Sequence, residues 1–148
     1  GLGGINSYAN NKKVIGDDGV TGTGGGSLTK ITTTANGFIY RASIACVEDP
    51  AGGELDIDLW SNTASINPSN VVDGSGTSVL LIPANGDWQA GQYEESAKNP
   101  TGGTSNKMTD GLHDHYLYLT AGTDTGPVAG EYTAGKLIIK LYGTPATF

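Results

Sequence analysis

Two histidines, His113 and His115, lie two residues apart in the run Leu112-His-Asp-His-Tyr-Leu-Tyr-Leu119. On a β-strand residues i and i+2 share a face, so both imidazoles would project the same way. Three copies of such a strand around an axis would offer six imidazoles to a transition metal. The motif occurs once and has no supporting repeat, so the expectation is a pair of hydrogen-bonded surface or interface histidines with no metal bound. Asp56-x-Asp58 has the opening spacing of a calcium loop. Such a loop continues through a polar position and a glycine, whereas here it meets Leu59-Trp60. Gly130-x-x-x-x-Gly135-Lys136 matches a phosphate-binding loop up to its last position, where Leu137 replaces the Ser or Thr that would ligate Mg²⁺. That loop must also open a helix, and the residues after Lys136 read as a strand. There is no Gly-x-Ser-x-Gly elbow, and spacing singles out no pair of carboxylates. The chain is therefore expected to be no enzyme and to need no cofactor.

The elements that carry these residues are strands. Gly135-Lys-Leu-Ile-Ile-Lys-Leu-Tyr-Gly143 alternates Leu137, Ile139 and Leu141 with Lys136, Ile138, Lys140 and Tyr142, a period of two with one face in a core. Leu55, Ile57 and Leu59 alternate with Asp56, Asp58 and Trp60, predicting an inward apolar row and an outward acidic one. Phe38 to Val47 forms a long strand, with Arg41 paired to a carboxylate at a sheet margin or a subunit contact. Residues 28–34 and 78–83 are further strands, residues 87–93 an irregular one, and Asn36-Gly37 a hairpin turn. Residues 61–77 and 94–109 are polar loops. About eight strands at these spacings predict an all-β, antiparallel, jelly-roll-like sandwich of two four-stranded sheets.

Composition agrees. Twenty-four glycines and seventeen threonines favour turns and strands, and no window holds a helical apolar stripe. At 148 residues the chain can bury a core without disulfides, and its single Cys46 is expected to be a small buried hydrophobe. A net charge of −7 with one arginine argues against a nucleic-acid surface. No apolar run is long enough to span a membrane.

Residues 1–27 differ from the rest in composition. Isolated apolar residues sit among glycines, and Gly22-Thr-Gly-Gly-Gly-Ser27 has the make-up of a flexible linker. The segment predicts an extended Gly-rich arm that orders against a neighbouring subunit, with Leu2, Ile5 and Tyr8 as anchors and residues 12–15 as a short strand. The β-sandwich domain is then 28–148.

Tyr118-Leu119-Thr120, Gly130-Glu-Tyr-Thr-Ala-Gly-Lys-Leu-Ile-Ile139, Phe38-Ile-Tyr-Arg-Ala-Ser-Ile44 and Leu55-Asp-Ile-Asp-Leu-Trp60 together resemble small β-sandwich structural proteins of tailed bacteriophages, over residues 28–148. The resemblance implies a capsid decoration (cement) protein, a homotrimer bound to the major capsid protein on the virion surface and assembled in the host cytoplasm. A tail fibre or spike is the alternative within the same class. A carbohydrate-binding module is the alternative outside it, with Trp60, Trp88 and Tyr93 as the aromatic platform.

Overall fold

The computed structural model describes residues 1–16, 26–96, 112–122 and 126–145. The chain is all-β and antiparallel. In chain order its elements are β1 (Asn6–Ser7), β2 (Thr29–Lys30), α1 (Thr33–Asn36), β3 (Phe38–Ala51), β4 (Ile57–Asn62), β5 (Ser78–Ile82), β6 (Tyr93–Glu95), β7 (Tyr116–Ala121), β8 (Gly130–Glu131) and β9 (Ala134–Thr144). Among the described residues one sheet has the order β2-β7-β4-β5, a second β6-β3-β9, and β1 pairs with β8. The two main sheets thus hold four and three strands rather than four each.

They pack face to face. Ile39, Ala42, Ile44 and Cys46 of β3 meet Ile57 and Leu59 of β4, Leu81 and Ile82 of β5, and Leu117 and Leu119 of β7 in one apolar core. Cys46 is buried there, as its sequence context predicted, and burial pushes its thiol pKa up. The local departure is at Asn36-Gly37. Instead of a hairpin, Thr32 caps a single helical turn through its hydroxyl, which accepts from Ala35 N at 3.2 Å. Gly37 ends that turn at φ +66°, where a Cβ would fall on the Thr144 carbonyl.

A second core lies on the other side of the four-stranded sheet. Trp60 and Tyr118, directly opposite each other on β4 and β7, pack with Val14, Ile66 and Val72. Two side chains pin the loop of residues 63–77 over this face. The Tyr118 hydroxyl donates to Ala64 O at 2.8 Å and accepts from Ile66 N at 2.9 Å. Asn62 Nδ2 donates to the carbonyls of Val72 and Ser75. All six residues of β4 are therefore buried, and the expected outward row of Asp56, Asp58 and Trp60 faces protein instead of water.

The expected boundary at residue 27 does not separate an arm from a body. Residues 12–15 lie along the edge of β7 beyond β2. Lys12 N donates to Ala121 O and Ile15 N to Leu119 O, both at 2.9 Å, and Ala121 N donates to Lys13 O. Val14 consequently enters the second core and Ile15 the first, the alternation of a strand. Residues 2–7 run beside the start of β9, with Leu2 N bonded to Gly135 O and Ile5 O to Tyr132 N. The glycine-rich linker predicted at 22–27 lies mostly outside the described residues.

Candidate interaction surface

Of the carboxylates and histidines singled out in the sequence, Asp56, Asp58 and His115 are buried and His113 is exposed; Glu54, which sequence reasoning did not single out, is buried too. Glu54, only 4 % exposed, accepts from Leu55 N and Asp56 N through Oε1, both at 2.9 Å, and from Val128 N through Oε2 at 2.5 Å. Its own N–H donates to Ser7 Oγ, and its carbonyl accepts the Tyr132 hydroxyl at 2.6 Å. Burial lifts the Tyr132 phenol pKa well above its ordinary value. Asp56 is buried against Gly122, where any Cβ would fall 2.2 Å from its carboxyl carbon.

Asp58 lies opposite Thr120 on the same buried face. Its Oδ1 accepts from Ala84 N at 2.7 Å, while Oδ2 has no hydrogen-bond partner. The Trp60 indole N–H approaches the carboxyl but meets no acceptor in good geometry. Burial raises the Asp58 pKa from its ordinary 3.8, against the lowering influence of Ala84 N–H, Trp60 and Lys12. The sign follows from linkage. A carboxyl with a raised folded-state pKa contributes stability that is fully present below the unfolded value and lost as pH rises through the folded one. Asp58→Asn is therefore expected to flatten the loss of stability on the alkaline side of pH 3.8, measured as urea midpoints across a pH series. Parallel curves for variant and parent would contradict a buried, proton-binding Asp58.

His113 and His115 do not share a face. Leu112 and Asp114 both have left-handed backbone, φ +57° and +58°, and His115 N bonds back to Leu112 O at 3.0 Å, so a turn precedes β7 where a strand was expected. His115 is buried with Nδ1 3.0 Å from Ser61 Oγ, whereas His113 is exposed beside Asp114. Among the described residues no group of three or more His, Cys, Asp or Glu is placed to hold a metal. The aromatic platform is likewise dispersed. Trp60 is in the second core, and Trp88 is in the first with its indole N–H on Ile57 O at 2.8 Å; Tyr93 alone is exposed.

Of the three expected arm anchors, Leu2 is 3 % exposed within the main core and Ile5 packs against it. Tyr8 is half-buried, its hydroxyl 3.4 Å from Gly16 O. Leu2 and Ile5 are spent on their own chain because the strand pairing of residues 2–7 turns them inward.

Among the described residues the outer face of the three-stranded sheet is open. Register places Tyr93, Ala45 and Ile138 in one cross-strand row and Glu95, Ser43 and Lys140 in the next, with Arg41 opposite Tyr142 beyond them. The Arg41 guanidinium stacks 4.0 Å from the centre of the Tyr142 ring and lies 3.7 Å from Glu95 Oε1. Tyr93 donates to Glu95, which raises the Tyr93 phenol pKa; the Ser43 hydroxyl lowers that of Tyr142, helped by the charges of Arg41 and Lys140. Ser43 is closed off beneath these side chains. Around the cluster Phe38, Tyr40, Val47 and Ile138 are exposed, Tyr40 at 60 % in a bulge of β3. Three of the eight cationic residues, Arg41, Lys136 and Lys140, belong to this face of an otherwise acidic chain. Sequence reasoning expected a carboxylate beside Arg41 without identifying Glu95. It missed the face because no local pattern aligns β6, β3 and β9. No protein-family model matches the chain, and no curated protein and no solved structure matches it significantly.

Proposed function

We propose that this chain is a non-enzymatic structural protein of a virion, in the capsid-decoration role that its sequence resemblance implies. In this reading the open face of the three-stranded sheet seats it on the major capsid protein. The observation that carries the proposal is the set of exposed Tyr40, Tyr93 and Ile138 around the Arg41–Tyr142 stack. Aromatic and arginine side chains on a rigid sheet are the kind that dominate protein interfaces, because they desolvate large area at small entropic cost. Apolar groups clustered on one sheet face mark a site of association rather than a general surface. The interior carboxylates support the same reading, since they satisfy backbone N–H groups or lie sealed beneath loops.

The resemblance implies a gripping arm; because Leu2 is buried in its own chain, this reading assigns the grip to the sheet instead. Co-sedimentation with undecorated phage shells tests both statements. The parent is expected to pellet with shells, and Tyr40→Ala with Tyr93→Ala to weaken binding by about tenfold or more. Equal binding by the double variant would remove the sheet face from the proposal. Parent protein that stays in the supernatant with every shell offered would remove the decoration role.

A further inference from the structure

Among the described residues β9 is a sheet edge over most of its length. β3 pairs along one side of it, and on the other Leu2 N takes Gly135 O; among the described residues no backbone group bonds to that side from Lys136 onward. A long open edge carries a row of free N–H and C=O groups and is a template for another strand. The core-facing residues register the gap. Ile44 on central β3 is fully buried, while its cross-strand partner Ile139 and the neighbours Leu137 and Leu141 are only partly covered.

We infer that two copies of this chain pair antiparallel through residues 136–142 of β9, joining their three-stranded sheets into one six-stranded sheet about a two-fold axis at Ile139. Charge and overlap narrow the register: axes at Leu137 or Leu141 would pair only three of residues 136–142 on each strand. With the axis normal to the sheet, residues facing each other share a face and their numbers sum to an even constant. An axis at Ile138 sets Lys136 against Lys140 twice. An axis at Lys140 sets that lysine against itself. An axis at Ile139 opposes no like charges: Lys136 meets Tyr142, and Ile138 meets Lys140. The same register pairs Leu137 with Leu141 and Ile139 with its own copy, so the half-covered inner row closes over itself. This gives a two-fold assembly in place of the three-fold one that the resemblance implies. It does not rest on the capsid reading.

Analytical ultracentrifugation of the full chain over a concentration series tests the inference, with hydrogen exchange of residues 136–142 as the local readout. The expected result is a monomer–dimer equilibrium in which those amides gain protection as dimer forms. Ile138→Lys sets two lysines against each other at both symmetric positions and is expected to weaken dimerisation by about tenfold or more. Ile138 is 41 % exposed, so the variant should melt like the parent when both are monomeric. Exchanging the pair, Ile138→Lys with Lys140→Ile, restores one charge per cross-strand pair and is expected to restore the dimer. A parent that is monomeric throughout or trimeric, or a dimer indifferent to Ile138→Lys, overturns the inference.

Discussion

Removing residues 1–16 is expected to unfold the domain, not to release it from an arm. Leu2, Val14 and Ile15 are at most 4 % exposed, and they enter both cores. Burial of each such side chain is worth about 1.5–3 kcal/mol, so the three together contribute about 4.5–9 kcal/mol. Domains of this size are stable by about 5–15 kcal/mol in total. The backbone adds to the loss. Without residues 12–15, the N–H of Ala121 and the carbonyls of Leu119 and Ala121 lose their partners along the edge of β7. Without Ser7, the N–H of Glu54 loses its acceptor. A chain beginning at residue 17 should show no cooperative thermal transition, or one lowered by about 10 °C or more. A truncated chain that melts like the parent would restore the independent arm. Leu2→Ala is the milder companion: about 2–5 kcal/mol for a core leucine, read from urea midpoints with unchanged slope.

That expectation reverses what residues 1–16 suggest when read as sequence, and the reason is physical. A segment with a few apolar residues among glycines has little local propensity, so composition assigns it to flexible chain. Its burial comes from pairing with β7, β8 and the start of β9, more than a hundred residues away, and no local window contains that information. The same limit explains β4. Alternation at Leu55, Ile57 and Leu59 identified a strand and its inward row. Period-two reasoning then assigned Asp58 and Trp60 to solvent, because polar residues opposite an apolar row usually face water. The loop of residues 63–77 overrides that by folding back across the sheet. Its trace in the sequence was Ile66 and Val72, apolar residues in a polar loop that enter the second core. The histidines failed for a more local reason. Left-handed backbone at Leu112 and Asp114 cannot be read from a leucine or assumed from an aspartate, and two such residues convert a strand into a turn.

β9 was legible as a strand with its inward row and its two bounding glycines, but not as an edge. Leu137, Ile139 and Leu141 read like Ile57 and Leu59, and differ from them in how many neighbouring strands they have. Edge or centre is a property of topology, and no pattern local to residues 134–144 carries it. Arg41 could be read as a carboxylate partner because one arginine among fifteen acidic residues has few roles open to it; it lies 3.7 Å from Glu95, but on the central strand β3 and not at a sheet margin.

Glu54→Ala is expected to cost about 3 kcal/mol or more, the largest effect of any single charged position in the described fold. The carboxylate holds three backbone N–H groups, from Leu55, Asp56 and Val128, and thereby ties the entry of β4 to the residues before β8. Removing it orphans those donors in a buried setting, at about 1–3 kcal/mol each. Glu54→Gln should fall between. It keeps an acceptor for Leu55 and Asp56 but turns an amide N–H₂ toward Val128 N–H, replacing one bond by a donor–donor contact. Tyr132→Phe removes the hydroxyl that bonds the Glu54 carbonyl and should cost about 1 kcal/mol. Urea unfolding of the three variants gives the order Ala, Gln, Phe from most to least destabilised. A carboxylate reserved for chemistry would behave the other way round, since removing an unpaired buried charge relieves its desolvation and stabilises the fold. Glu54→Ala at or above parental stability would therefore contradict a structural role for this carboxylate.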